Sequence, residues 1–173
     1  MYNKIDLREV PAERLKEISL DLVNIDAQAP EFEPNRQFYF MAKARDYVKR
    51  KSAELGRPMT FFTQTFGCQM NARDSEKLCG ILEQIGLKEV ESENADLVLY
   101  NTCTVRDNAN QKVYGRLGYL QTLKKKRPGM MISLCGCMMQ QEHVAKKIRE
   151  SYPYVDLIFG THASYLLPFM LEK

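Results

Sequence analysis

Residues 59–86, MTFFTQTFGCQMNARDSEKLCGILEQIG, change from one hydrophobic pattern to another within a short stretch. The first seven residues are mostly apolar, aromatic or β-branched, which is typical of a buried strand. Further on, apolar residues recur at three- and four-residue spacing up to Gly86, which predicts an amphipathic helix that ends at this glycine. These helix residues are Leu78, Ile81, Leu82 and Ile85. The stretch therefore predicts one strand–helix unit.

The same alternation continues to the end of the chain. A possible short edge strand, LKEVES (87–92), comes first and is followed by three more units. These begin with the strands ADLVLYNT (95–102), MMISLC (130–135) and VDLIFG (155–160), each followed by a helical or short segment. Apolar strands that alternate with amphipathic helices are typical of parallel sheets. We expect an α/β fold, an open and mostly parallel sheet of four or five strands with helices on both faces.

The pattern changes near Gly56-Arg57-Pro58, where we place a domain boundary. Residues 1–57 form a predicted helical extension, and residues 58–173 form the α/β domain. Within the extension, the spacing of apolar residues predicts one helix around residues 10–25 and another over residues 35–55. The proline-containing stretch between them predicts irregular structure.

Composition excludes several classes of protein. The 173 residues contain 25 basic and 22 acidic side chains, a formal charge of +3, which is too mild to require a nucleic-acid partner. The chain has no apolar run near the roughly 20 residues that span a bilayer, and its start lacks the apolar region of a signal peptide. We therefore expect a cytoplasmic protein without a membrane partner. Its five cysteines then are expected to be reduced thiols.

Three of the five cysteines follow predicted strands. Cys68, Cys103 and Cys137 come after the first, second and third clear strands, so all three fall in strand-to-helix connections. In a parallel sheet these connections emerge at the carboxyl edge, where open α/β folds bind ligands. Cys79 within a helix and Cys135 at a strand end are expected to be packing residues, because free cysteine is often buried. The sequence predicts that three thiols converge on a shared ligand.

The chemistry of that ligand follows from the spacing of the thiols. Thiolates select zinc, cuprous copper or iron–sulfur clusters. A structural zinc site usually contains a C-x2-C pair, which this sequence lacks. Three separated thiolates suit a four-iron cluster with one open iron. A zinc-binding or dithiol redox module, with Cys135 and Cys137 as the pair, remains the alternative.

Four motifs resemble the amino-terminal domain of the tRNA methylthiotransferases. They are TFGCQMN (65–71), NTCTVRDNA (101–109), GCMMQ (136–140) and FGTH (159–162). The resemblance covers about two-thirds of the chain, and TFGCQMN is most similar to the branch that acts on N6-isopentenyladenosine beside the anticodon. It implies an auxiliary [4Fe–4S] cluster held by Cys68, Cys103 and Cys137, a donor of the methylthio group that is added to C2 of the adenine.

The resemblance also implies parts that these residues do not supply. In the family a second [4Fe–4S] cluster, on a separate radical domain with a C-x3-C-x2-C motif, cleaves S-adenosylmethionine, and a further β-rich domain binds tRNA. The sequence has no C-x3-C-x2-C motif. We therefore expect a fragment that is inactive by itself and that works with the radical domain of the same full-length chain on a tRNA substrate.

Other polar residues are weaker candidates. Asn71 and Asn101 flank two of the cysteine connections and are candidates for contact with the cluster or its surroundings, although asparagine is common at turns and caps. The basic run at residues 124–127 is expected at the carboxyl end of a helix even without a nucleic-acid partner. Three other candidates for this edge or its cleft are Asp74, Arg106 and His162.

Overall fold

The computed structural model describes residues 3–66, 69–102, 107–136, 139 and 141–160, with backbone only for 69–71 and 107–110. These residues form two compact units. The first comprises the chain up to Pro58 together with Gln84–Gly86, and the second comprises Met59–Glu83 and the described chain from Leu87 onward.

The regular elements follow the sequence pattern closely. The helices are α1 (Asn35–Leu55), α2 (Gln69–Gln84), α3 (Asp107–Lys126) and α4 (Glu142–Ser151). The strands are β1 (Thr60–Thr65), β2 (Lys88–Glu89), β3 (Leu97–Thr102), β4 (Met131–Gly136) and β5 (Leu157–Phe159). The short edge strand is therefore present as a two-residue strand, β2.

The five strands make one sheet in the order β2-β1-β3-β4-β5, and every neighbouring pair is parallel. The chain moves from β1 to β2 in one direction and from β3 through β5 in the other. Because such crossovers are right-handed, α2 covers one face of the sheet, while α3 and α4 cover the other. This is the doubly wound arrangement, with its switch point between β1 and β3, and the predicted fold class is confirmed.

Successive side chains of β3 and β4 point to opposite faces of the sheet and pack in two separate layers. Val98 and Tyr100 of β3 pack with apolar residues of α3 and α4 in one core, and both side chains are fully buried. The intervening residues point to the α2 face, as strand geometry requires. Both faces of the central strands are covered, which explains why their sequences are almost continuously apolar.

The first unit is built around α1. Its core contains Leu7, Leu15 and Val23 from the preceding segment and Tyr39 and Ala42 from the helix. The hydroxyl of Tyr39 donates to the carbonyl oxygens of Ile25 and Ala27 at 2.8 Å each, which fixes the chain after the last short helix to α1. The helix predicted over residues 35–55 is confirmed.

The helix predicted around residues 10–25 is wrong. The structure has three short 3-10 helices instead, at Leu7–Glu9, Ala12–Glu17 and Leu20–Leu22. Between them Ile18 is extended, and the hydroxyl of Ser19 accepts from the backbone N–H of Asp21, so a local side-chain contact starts a new turn where a helix would have continued. Tight turns with extended links let apolar residues spaced as in a helix reach α1.

The amino edge of the sheet is held together by charged groups. Asp96, just before β3, accepts from the backbone N–H of Thr60 at 2.8 Å and from Nη2 of Arg127 at 2.8 Å. Lys124 donates to Asp156 at 2.6 Å. Arg127 and Lys124 thus tie the end of α3 to the loops that enter β3 and β5.

None of the described helices is both long enough and apolar enough to span a bilayer.

Candidate functional site

The ends of three neighbouring strands define the candidate site. β3 lies between β1 and β4, with Thr65 paired to Asn101 and Thr102 paired to Gly136 in the register. Adjacent strands lie about 4.8 Å apart, so the ends of β1 and β4 are separated by roughly 10 Å. The carboxyl ends of the three strands therefore lie together at one edge of the sheet.

Each of these strand ends is followed within three residues by a candidate cysteine in the sequence. Cys103 and Cys137 come directly after Thr102 and Gly136, and Cys68 is the second residue after Phe66. All three cysteines lie outside the described residues, as do Arg106, His162 and the side chain of Asn71. One residue spans at most about 3.6 Å, so each cysteine is only a short length of chain away from its strand end. The three cysteines therefore follow strand ends that lie close enough together to serve one small ligand.

A chain of polar side chains links these strand ends on the α2 face. The hydroxyls of Thr65 and Ser75 are 2.6 Å apart, and Nδ2 of Asn101 donates to Oγ of Ser75 at 3.0 Å. Asn101 is 2% exposed and Ser75 is 8% exposed. The backbone N–H of Phe66 also donates to the carbonyl oxygen of Asn101 at 2.7 Å. We call Thr65, Ser75 and Asn101 the polar link.

The ends of β3 and β4 approach each other very closely at Gly136. Its φ is +102°, and a β-carbon there would overlap the carbonyl oxygen of Thr102 and lie 2.6 Å from Oδ1 of Asn101. Oγ1 of Thr102 donates to the carbonyl oxygen of Cys135 at 2.7 Å. Only glycine fits here, because both the backbone angle and the space exclude a larger residue.

Cys135 and Cys79 lie on the same side of the sheet as the polar link. Cys135 is 2% exposed, and burial, with the nearby carboxylate of Asp74, raises the pKa of its thiol. Cys79 is half-buried on α2, where its Sγ lies 3.4 Å from Oγ1 of Thr63, and burial also raises the pKa of its thiol. Raised pKa values suit packing thiols and oppose a nucleophilic role.

The described residues leave little open space at this edge. A cavity of about 10 Å³, room for about one water molecule, lies between α2 and the ends of β4 and β5. It is lined by Asp74, Leu78, Asn101, Cys135, Phe159 and Gly160, and by Gly136. Within the described parts of the chain, no three metal-ligating side chains lie together.

The basic run at the carboxyl end of α3, residues 124–127, lies at the other edge of the sheet. Lys124 and Arg127 pair with Asp156 and Asp96, so half of the run has a structural role at the amino edge. Lys125 and Lys126 are exposed there. The structure therefore does not bring this run to the strand ends that precede the candidate cysteines.

Sequence reasoning missed Thr65 and Ser75. A signal was present, because Ser75 lies three residues before Leu78 and so shares the apolar face of α2, while Thr65 alternates with Phe61 and Thr63 on β1. Polar residues at inward positions near a strand end point to a buried hydrogen bond. Asn101 was expected at this edge, and the structure places its side chain inside the polar link.

Comparison with known proteins gives a family. Residues 60–160, which extend from β1 to β5, match the Uncharacterized protein family UPF0004. The chain belongs to the UPF0004 family. The match includes all three strand ends that precede the candidate cysteines, so the edge of the sheet described above is part of the family's shared region.

Three relatives of this UPF0004 chain carry the name tRNA-2-methylthio-N(6)-dimethylallyladenosine synthase. A relative from Lachnoclostridium phytofermentans is 63% identical over 127 residues, 73% of this chain and 28% of the relative. One from Clostridium tetani is 56% identical over 115 residues, 66% of this chain and 25% of the relative. One from Acetivibrio thermocellus is 48% identical over 137 residues, 79% of this chain and 28% of the relative. The resemblance to the tRNA methylthiotransferases is confirmed, and the chain spans about a quarter of the length of these relatives.

Proposed function

We propose that this chain is the auxiliary-cluster domain of a tRNA methylthiotransferase, an enzyme that adds a methylthio group to C2 of N6-isopentenyladenosine beside the anticodon. The names of the relatives support the reaction. The observation that carries the proposal is the parallel placement of β1, β3 and β4, each followed by a candidate cysteine. Cytoplasmic tRNA is the substrate in this proposal.

Cys68, Cys103 and Cys137 would hold a [4Fe–4S] cluster at three of its corners. The donor set fits, because thiolates are the usual ligands of such clusters and the preceding strand ends lie at one edge within roughly 10 Å. When bound, such a cluster supplies an open iron at which sulfur is held for transfer. Cys135 and Cys79 are packing thiols in this proposal, because Cys135 is buried and Cys79 is half-buried against Thr63.

The protein's own residues would prepare the site in two ways. Gly136 lets the end of β4 approach β3, which brings the positions before Cys103 and Cys137 into direct register. Asn101 is buried between these strand ends and the first turns of α2. It would keep a neutral amide beside the thiolates. Asn71 is proposed for a similar role next to Cys68 on sequence position alone.

Catalysis in this proposal needs parts beyond these 173 residues. The family resemblance assigns S-adenosylmethionine cleavage to a second [4Fe–4S] cluster on a radical domain with a C-x3-C-x2-C motif, which this sequence does not contain. This chain would therefore bind the auxiliary cluster but not catalyse the reaction alone. The radical domain of the same full-length chain and tRNA are the partners.

Anaerobic reconstitution tests the ligand set. With iron and sulfide, the wild-type chain is expected to take up four irons per molecule. Alanine at Cys68, Cys103 or Cys137 should abolish stable uptake, whereas Cys79→Ala and Cys135→Ala should keep most of it. Iron, acid-labile sulfide and Mössbauer spectra measure the outcome for each variant.

Two results would contradict this assignment. A full cluster in the Cys137→Ala variant, or its loss in a folded Cys79→Ala variant, would show that other thiols are the ligands. Stoichiometric zinc in the purified wild-type chain, with no iron uptake in any form, would instead favour the zinc-binding alternative. Circular dichroism of each variant separates loss of ligands from loss of fold.

A further inference from the structure

We propose that Ser75 is a positioning residue, which fixes the β1–α2 connection to the end of β3 before any metal is bound. This inference rests on the proposed function, because it assumes that Cys68 in that connection and Cys103 after β3 act on the same ligand. Ser75 would act through the backbone that carries Cys68 and would not touch the ligand itself.

The hydroxyl of Ser75 closes the connection on itself. Thr65 is the last residue of β1, Ser75 lies in α2, and their hydroxyl oxygens are 2.6 Å apart. The nine residues between them include Cys68. A direct contact between the two ends of such a segment restricts how far its middle can move, since the closed segment has fewer accessible conformations.

The same hydroxyl joins this closed segment to the next strand. Oγ of Ser75 accepts from Nδ2 of Asn101 at 3.0 Å, and Asn101 lies two residues before Cys103. Oδ1 of Asn101 in turn lies against Gly136, since a β-carbon added to that glycine would come within 2.6 Å of this oxygen. Ser75 is thus the point at which α2, β1 and β3 meet beside the end of β4.

Burial makes this contact effective. Ser75 is 8% exposed and Asn101 is 2% exposed, so water competes little for the two hydrogen-bonding groups. Hydrogen bonds at low local dielectric hold their geometry more firmly than those at the surface. Partners that hydrogen-bond to metal ligands are typically worth about 10–100-fold in metal affinity. Ser75 is one step further from the ligands, so its effect is expected at the lower end of that range.

The chain provides a matched control between the same two elements. Thr63 of β1 contacts Cys79 of α2 through Oγ1 and Sγ at 3.4 Å. This pair lies on the same face of the sheet, two residues before Thr65 and four residues after Ser75, and so further from the strand ends. Thr63→Val removes a β1–α2 side-chain contact without touching the polar link.

The experiment measures the affinity of the reduced, cluster-free chain for Co²⁺ under anaerobic conditions. Bound Co²⁺ gives a thiolate-to-metal charge-transfer band in the near ultraviolet, so the signal requires thiolate ligands. Ser75→Ala and Thr65→Val are expected to weaken binding about tenfold. Thr65→Ser retains the hydroxyl and should bind as the wild type does, and Thr63→Val should also be unchanged. Thermal unfolding of the metal-free variants measures the stability cost of each substitution separately.

The outcomes distinguish this inference from the proposed function. If the wild type shows no charge-transfer band, or if the band persists in Cys103→Ala, the proposed three-thiolate site is wrong. If the wild type binds through those thiols but Ser75→Ala and Thr65→Val bind equally well, the positioning role of Ser75 is wrong. An equal loss of affinity in Thr63→Val would also overturn it, since the effect would then follow general β1–α2 packing.

Discussion

At the scale of single residues, position 136 is a place where the structure tolerates only glycine. We expect Gly136→Ala to destabilise the second unit by about 3 kcal/mol, because left-handed backbone and overlap with the neighbouring strand both oppose a side chain. The overlap is between the added carbon and the carbonyl oxygen of Thr102. Urea unfolding followed by circular dichroism measures the change.

Gly118 offers the matched control for this substitution. It lies in α3, and a β-carbon there has no neighbour within 4 Å among the atoms described. Gly118→Ala should therefore stabilise the unit by up to about 1 kcal/mol through helix propensity. Equal effects at the two positions would show that the close approach at Gly136 does not constrain the chain.

The residue type at position 136 agrees with what the structure shows there. Glycine tolerates left-handed backbone and close contacts, and Gly136 has a positive φ and short distances to the neighbouring strand. Asn101 was ambiguous, since asparagine favours turns and caps. The sequence does not tell that its side chain meets Ser75, because the two residues are 26 positions apart and only the packing of α2 on β3 joins them.

At the scale of elements, the hydrophobic period of the sequence predicts the helices and strands of the second unit. It does not predict the three 3-10 helices that precede Ile25. Long elements with a clear pattern, such as α1 and β3, are predicted from sequence because burial of one face or both faces decides them. Residues before Ile25 have helical spacing, but Ser19 competes for backbone donors and breaks the helix. Local hydrogen bonds override spacing there.

The packing of α2 predicts how two thiols react. We expect iodoacetamide to modify Cys79 slowly and Cys135 only after unfolding, because burial raises both thiol pKa values and α2 covers the strand that carries Cys135. From an ordinary value of 9.0, a raised pKa lowers the thiolate fraction of Cys79 at pH 8, and its rate should rise with pH. Mass spectrometry of peptides, with and without urea, gives both rates.

The sign of the same shift determines its effect on stability. A thiol whose pKa is raised by folding stabilises the folded state at pH values below its ordinary pKa, and that contribution is lost as pH rises above 9.0. Stability of the cluster-free chain should therefore fall in alkaline solution, and less so in Cys135→Ala relative to its own value at pH 7. Rapid modification of Cys135 in the native chain would contradict the packing described for α2.

At the scale of the whole molecule, the two edges of the sheet have different chemistry. The amino edge uses charged pairs, Arg127 with Asp96 and Lys124 with Asp156, to hold loops to the end of α3. The carboxyl edge instead has the polar link and Gly136, and none of the three residues of the polar link carries a charge. Open α/β sheets place ligands at the carboxyl edge, so the charged edge is available for stability alone.

This division predicts that stability and metal binding can be changed separately. Arg127→Met should destabilise the second unit by about 2 kcal/mol, because Asp96 is 11% exposed and loses its charged partner while still accepting from Thr60. Lys126→Met, at an exposed position on the same run, should change stability by less than about 0.5 kcal/mol. Both variants, once folded, should take up iron as the wild type does in anaerobic reconstitution. A folded Arg127→Met chain without iron would show that the amino edge contributes to the site, and equal destabilisation by Lys126→Met would mean that the ion pair with Asp96 is not what holds this edge.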